Sequence, residues 1–448
     1  MQYVLALDCG STNFKAALFD DGLQRLSQAA RPLPSLNYGA QCVELDAEET
    51  WQIASALLQQ TCQQAGVTFS QVARLAITSQ AQTFLLLDEQ NQPLTPLISW
   101  LDRRADGLAA HLRAALGDEF ARHCSFAEPM PQLQVAKLFW LHKNAPDLLA
   151  RAACIASLPT WLALRLGAPA ALDDNLAAMS GLYSLPAQAY WPAALALCGV
   201  SEAQLPSVVP VGSALPAGAP RLTLAGNDQT CGAYGNDCQL NAWVATLGTA
   251  LVAYRRAGQS PGPYHPRGCW GPYPGGGYYE LAVRDFGCAA LDWARTLLFP
   301  LGPLEQFMTA AAQAAPGSAA PPLFYPDLTG SPTAWVGEGT AGERALAVLE
   351  GISFSLRGLL FDELGADQRL ERLIVTGGGS RSDFWLQLLA DILGVAVQRA
   401  AGDALLGAAR LALPAVEPPH SAPPATWQPR AQQSGFYQAL YHLWHAHL

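Results

Sequence analysis

The apolar run at 3–7 and a second one at 14–19 are separated by the polar stretch Asp8-Cys9-Gly10-Ser11-Thr12-Asn13, and Asp20-Asp21-Gly22 follows as another tight turn. This pattern predicts a β-hairpin at the start of the chain, unlike the strand-then-helix opening of a dinucleotide-binding fold. Helical periodicity follows over 47–64, with Asp46 placed to cap it. The buried run 74–78 predicts a strand that leads to another at 84–87 and a turn at 88–91, and the stretches 104–123 and 134–165 read as mainly helical. Residues 205–220 hold four prolines and two glycines among small residues, a linker composition that places a domain boundary near 221.

Beyond the linker the pattern starts again. A strand at 222–225 reaches Gly226-Asn227-Asp228, a small-residue helix covers 231–234, and 243–247 with 251–254 form a hairpin through Gly248-Thr249-Ala250. That turn echoes Gly10-Ser11-Thr12, so two related domains are expected, 1–221 and 222–448. Helices near 303–315 and 343–363, a strand at 373–376, the triplet Gly377-Gly378-Gly379 and a helix over 382–393 complete the second half. The proline-rich stretch 414–428 reads as a surface excursion before a final helix.

Composition narrows the function classes. With 448 residues, 50% hydrophobic and 14% charged, the chain has material for two filled cores. A net charge of −10 argues against nucleic acid as a partner. No apolar run approaches the roughly 20 residues of a membrane span. The ten cysteines include no C-x-x-C pair, which leaves a zinc or thioredoxin-like motif unsupported. With a strand directly after Met1 and no secretory leader before it, the expectation is reduced cysteines in a cytoplasmic protein.

Three segments carry candidate chemistry. In Asp8-Cys9-Gly10-Ser11-Thr12-Asn13-Phe14-Lys15, a glycine and hydroxyl residues in a turn expose backbone N–H groups that cradle phosphate oxygens, Ser11, Thr12 and Lys15 add donors, and Asp8 suits a hydrated Mg²⁺. An ordinary polar hairpin has the same composition. In Gly226-Asn227-Asp228-Gln229, Asp228 at a strand-to-helix junction suits a general base for an alcohol acceptor, or alternatively a helix N-cap. The glycines 377–379 before a helix allow flat approach of an adenine or a phosphate, or make a plain loop. No G-x-x-x-x-G-K-[ST] occurs, so this is not a P-loop protein.

In order and spacing, these segments together resemble the FGGY family of carbohydrate kinases. LALDCGSTNFKAALFD is similar to its first phosphate segment and LAITSQAQTFLLLDEQNQPLTPLISWLDRRA to its first sugar-contact segment. PTWLALRLGAPAALDDNLAAMSGLY resembles the stretch leading out of the first domain, AGNDQTCGAYG the catalytic segment and VATLGTALVAY the second phosphate segment. ALAVLEGISFSLRGLL resembles the long helix and VTGGGSRSDFWLQLLADILG the adenosine segment. The resemblance implies an α/β fold of two actin-like, RNase H-like domains with an interdomain active-site cleft, and use of ATP and Mg²⁺. By motif position it implies Asp228 as catalytic base with Gln229 beside it, Asp8 near the metal, and Ser11, Thr12 and Lys15 in the first phosphate turn. Thr249 falls in the second phosphate turn, Gly287 on a nucleotide-side glycine, and Gly378 and Ser382 on adenosine contacts.

The acceptor segment departs from the family. Ala81-Gln82 stands where glycerol kinases carry an Arg-Glu pair, Gln82-Thr83-Phe84 does not match the Met-His-Gly of many xylulokinases, and 325–337 is shortened. Gln82, Trp100, Asp102 and Gln132 are the expected acceptor shell. The expected reaction is phosphorylation of a pentulose or related ketose, xylulokinase-like, by a cytoplasmic enzyme whose assembly to test is a homodimer. A weakly catalytic sugar- or nucleotide-binding regulator and an actin-like ATPase without a sugar site are the competing readings.

Overall fold

The opening hairpin forms as its pattern requires: Tyr3–Cys9 pairs antiparallel with Asn13–Phe19, setting Asp8 opposite Lys15. The computed structural model describes residues 2–33, 37–38, 41–216, 218, 220–240, 242–258, 268–314, 321–366, 370–413 and 424–447. By packing, the chain divides into two units: residues 1–237, 257–279 and 402–420 make the first, and 238–256, 280–401 and 421–448 the second.

In the first unit the hairpin sits in a six-stranded sheet ordered Ala214–Leu215, Arg221–Asn227, Val72–Ser79, Tyr3–Cys9, Asn13–Phe19, Arg25–Pro32. Tyr3–Cys9 is buried on both faces, which is why it reads as a continuous apolar run. Leu5 and Leu7 enter a core with the helices Ala47–Gln64 and Leu158–Arg165, whereas Val4 and Ala6 enter another with the helix Ala404–Ala412. Asp46 caps the first of these helices, accepting from the Glu49 N–H at 2.7 Å. A second sheet contains Phe84–Leu87 paired antiparallel with Cys154–Ser157.

In the second unit, Leu251–Ala257, Trp243–Leu247, Arg372–Thr376, Ala396–Arg399 and Thr426–Trp427 lie side by side in that order. The helix Ala341–Arg357 starts at a capping box in which the Thr340 hydroxyl accepts from Glu343 N–H at 3.3 Å and the Glu343 carboxylate accepts from Thr340 N–H at 2.8 Å. It runs into a π-helical turn over Gly358–Glu363. Among the described residues no helix is long and apolar enough to cross a membrane.

Several elements differ from the sequence reading. The stretch 134–165 is not one helical region, because Cys154–Ser157 breaks it as a strand; a four-residue apolar run has too little periodicity to separate strand from buried helix. The stretch 104–123 splits into a 3₁₀ turn and two short helices, and the edge strand Arg25–Pro32 was not anticipated. The linker-like stretch 205–220 contributes Ser207–Val209, parallel to Ala171–Asp173, and Ala214–Leu215, antiparallel to Leu222–Thr223. Residues 222–237 pack with the first unit, as their strand lies parallel to Val72–Ser79. Most of 414–428 falls outside the described residues; within it Thr426–Trp427 joins the second unit's sheet.

Candidate functional site

Asp8 closes its strand almost entirely buried, at 5% exposure. One carboxylate oxygen, Oδ2, faces the Lys15 ammonium at 3.8 Å, while Oδ1 is buried without a hydrogen-bond partner. Burial pushes this carboxyl up to about 7, the charge of Asp228 pushes the same way, and Lys15 opposes them. Beside it the turn is tight at Gly10, where a Cβ would lie 3.0 Å from the Asn13 carbonyl. Ser11 accepts from the Trp100 indole N–H at 2.9 Å, so the turn after the first strand touches the far end of the stretch 75–105.

Asp228 is the first residue of the helix Asp228–Gly235, and it is not the cap. That role belongs to Asn227, whose side-chain oxygen accepts from Thr230 N–H at 2.8 Å. Asn227 is itself held by the fully buried Asn175, whose oxygen accepts from the Asn227 backbone at 3.0 Å and its side-chain amide at 2.6 Å. Gly226 makes this possible: its φ is +82°, and a Cβ would meet Asn175 and Val211 at 3.0 Å. Asp228 Oδ1 accepts from the Gln229 N–H at 2.9 Å. Burial raises the Asp228 carboxyl, against the lowering effect of its bonds with Gln229 and the charge of Lys15.

The helix bearing Asp228 is braced by a segment that arrives much later in the chain. Asn236 exchanges two hydrogen bonds with Gly402, at 2.8 and 3.0 Å, and Arg410 donates to the Tyr234 carbonyl at 2.7 Å. Gly407 packs so closely on this helix that a Cβ would overlap the Cys231 carbonyl at 1.9 Å.

The expected acceptor residues divide. Trp100 is partly exposed and tied to Ser11. Gln132 has a buried side-chain oxygen without a partner. Gln229 sits beside Asp228, 3.4 Å from its second oxygen. Asp102, expected in the same shell, is instead fully buried: it accepts from Val43 N–H at 2.7 Å and from the Arg104 side chain at 2.8 and 2.9 Å. Its carboxylate is occupied by a buried ion pair. Gln82 is likewise engaged inside the protein, accepting from Gln134 N–H at 2.8 Å and donating to the Met179 carbonyl.

In the second unit, Thr249, Gly287 and the glycines 377–379 come together. The carbonyl of Thr249 accepts from Gly287 N–H at 2.9 Å, and that of Gly248 from Cys288 N–H at 2.7 Å. A Cβ on Gly287 would lie 2.6 Å from the Gly248 carbonyl, and one on Gly377 2.5 Å from the Leu247 carbonyl. Gly378 differs, since a Cβ there meets nothing within 4 Å and its face is open. The Ser382 hydroxyl caps the helix Asp383–Leu393, accepting from Trp385 N–H at 3.2 Å. Sequence reasoning missed Asn175, Asn236 and Arg410 around the Asp228 helix; only Asn236, one residue beyond it, left a local signal.

Residues 3–222 match the N-terminal domain of the FGGY family of carbohydrate kinases, and residues 243–416 match its C-terminal domain. A glycerol kinase of Citrifermentans bemidjiense is 28% identical over 449 residues, spanning 92% of this chain and 90% of that protein. An L-fuculokinase of Escherichia coli K12 is 24% identical over 428 residues, spanning 89% and 88%. The crystal structure of a ligand-bound xylulose kinase from Lactobacillus acidophilus superposes with a TM-score of 0.88 at 20% identity, over 99% of this chain and 97% of that one, a likeness of fold. With both domain models matched in order along nearly its whole length, the chain belongs to the FGGY family of carbohydrate kinases, ATP-dependent enzymes that phosphorylate sugars and polyols.

Proposed function

We propose that this kinase transfers the γ-phosphoryl group of ATP to a hydroxyl of a five- or six-carbon ketose or polyol, with Asp228 as general base. The observation that carries the reading is the position of the cap. Asn227 meets the helix's need for an N-terminal acceptor, so the raised, partly buried carboxylate of Asp228 has no capping duty. A base works best when its pKa lies near the operating pH, and burial moves Asp228 in that direction. The acceptor O–H gives its proton to an Asp228 oxygen as its oxygen bonds to the γ-phosphorus, and the bond to the β-phosphate oxygen breaks to leave ADP. Gln229 adjoins the base and orients the acceptor.

The unpartnered Asp8 Oδ1 fits a hydrated Mg²⁺, which one carboxylate oxygen and substrate phosphates suffice to hold. When bound, that ion supplies charge neutralisation on the phosphates. Ser11, Thr12 and Lys15 contribute donors to phosphate from one unit. In the second unit Thr249 adds a hydroxyl donor, Gly287 holds the Thr249 turn in place through its N–H, and the open face of Gly378 accepts the nucleotide's flat parts.

For the acceptor, Ala81 and Gln82 offer no charged grip, and the amide of Gln82 is bonded at both ends within the protein. Lacking a charged hydrogen-bond partner costs about 1.5–3 kcal/mol, roughly ten- to a hundredfold in preference. Glycerol is the second reading, favoured by relatives named glycerol kinase at 28% identity. ADP release measured against a panel of ketoses, aldoses and polyols decides: ketoses or longer polyols should lead, and glycerol as best acceptor would overturn the reading. ADP release indifferent to every sugar would favour an ATPase, and none at all a regulator.

A further inference from the structure

Gln82, one of the expected acceptor residues, is turned inward, and its backbone meets that of Ser99 on a buried lysine. Lys137, in the first turn of the helix Gln134–Asn144, is 0% exposed. Its ammonium donates to the Ser99 carbonyl at 2.7 Å and the Gln82 carbonyl at 3.2 Å, and lies 5.9 Å from the centre of the Phe84 ring. One turn earlier, Gln134 N–H donates to the Gln82 side chain at 2.8 Å. Gln82 itself has φ +67°, a conformation that a non-glycine residue holds only when its surroundings impose it.

Two backbone stretches therefore hang on one helix end. The first is the turn at Gln82, whose side chain continues to the Met179 carbonyl; the Met179 sulfur in turn receives the Asn227 amide at 3.7 Å, next to Asp228. The second is Ser99-Trp100: Trp100 N–H donates to the Thr83 hydroxyl at 3.1 Å, and its indole reaches Ser11 in the phosphate turn. We propose that Lys137 and Gln82 are positioning residues, a joint that sets Trp100 against the phosphate turn and the acceptor stretch against the helix of Asp228. This deepens the kinase reading and rests on its assignment of residues 80–103 to the acceptor.

The cost of burying an amine supports a dedicated role. Burial lowers Lys137 to about 7, with Asp102 pulling upward and Arg104 pushing down. Neither neighbour is its direct partner, since Asp102 is committed to Arg104 and Arg104 also reaches Glu44. The carbonyls hold the lysine, and the lysine holds the carbonyls.

The test uses the full-length protein with Lys137→Met, which keeps the volume and removes the donors, and with Gln82→Gly, which keeps the backbone conformation and removes the amide. Amide-resolved hydrogen exchange should accelerate at least tenfold at Trp100 and Gln134 and stay unchanged in the strand Tyr3–Cys9. With the best sugar of the panel, acceptor KM should rise at least tenfold while ATP KM stays within twofold. Unchanged exchange at Trp100 and Gln134 in both variants overturns the joint, and so does an equal rise in both KM values. If Lys137→Met does not fold, Gln82→Gly decides alone. If the wild type phosphorylates no sugar, the kinase reading fails, and the exchange measurement still decides the joint.

Discussion

The two hairpin turns of the molecule are nearly synonymous in sequence and opposite in character. Gly10-Ser11-Thr12 is flanked by Asp8 and Lys15, a register pair that places a buried carboxylate and a half-exposed ammonium at its base. Gly248-Thr249-Ala250 is flanked by the register pair Leu247 and Leu251, both fully buried. The first turn is therefore charged and has an unsatisfied oxygen; the second is neutral, and its carbonyls are spent fixing Gly287 and Cys288. A glycine and a hydroxyl define the turn, but the strand residues on either side decide its chemistry. On the reading proposed above, the first unit would carry proton transfer and metal binding, and the second would carry shape for the nucleotide.

The comparison breaks most directly at Asp228. Replacing it with Asn should lower kcat by about 10²–10⁴ with ATP KM little changed, and no concentration of Mg²⁺ or Mn²⁺ should restore it. A variant within threefold of wild type would remove the base from the first unit. In the second unit Gly287→Ala should act through shape alone: the new Cβ falls 2.6 Å from the Gly248 carbonyl, and the displaced turn should raise ATP KM by about ten- to a hundredfold while acceptor KM holds. Equal effects on both substrates would deny the division of labour.

Asp8 gives a pH-dependent contrast. Its carboxyl lies higher in the folded protein than in the unfolded chain, so the charged form disfavours folding. The penalty is absent below about pH 4, grows through the interval up to about 7, and is complete above it. Asp8→Asn should therefore stabilise the ligand-free protein at pH 8 by about 2–4 kcal/mol and give a shrinking advantage toward pH 4.5, as read from thermal melts. The same variant should lose activity in a manner that shifts with metal concentration. Destabilisation at pH 8 would count against the buried-charge account. The smallest effect is expected at Gly378→Ala. Its Cβ enters open space, so stability should stay within about 0.5 kcal/mol, whereas ATP KM should rise a few-fold if that face receives nucleotide.

What was legible in the sequence was what is local. The Asp46 cap, the opening hairpin, the strand into Gly226-Asn227-Asp228 and the helix after the glycine triplet each announce themselves within a few residues, and each forms where expected within two or three residues at its ends. What escaped depends on distant partners. Asp102 looks like an exposed ligand in Trp-Leu-Asp-Arg-Arg until Arg104 folds back onto it and Val43 arrives from the neighbouring strand. Lys137 reads as one more polar helix position, although its neighbours Val135, Ala136, Leu138 and Phe139 are all apolar and buried. Asn227 and Asp228 are equally good caps by composition, and only the buried Asn175 settles which of them turns inward.

The brace on the Asp228 helix has a consequence for how the protein is made. The helix Ala404–Ala412 covers Val4, Ala6, Ala17, Phe19, Ala76 and Ala225 on one face of the first sheet. On the ribosome that sheet emerges about 165 residues before its cover, an interval of roughly ten to thirty seconds at ordinary elongation rates. Through that interval the nascent chain has Leu23, Cys231 and Tyr234 against that face but lacks the helix that covers the rest of it. A fragment ending at residue 237 would lack that helix permanently. The first unit is thus finished by a helix made long after its sheet, and its dependence on chaperones should be greatest before that helix emerges.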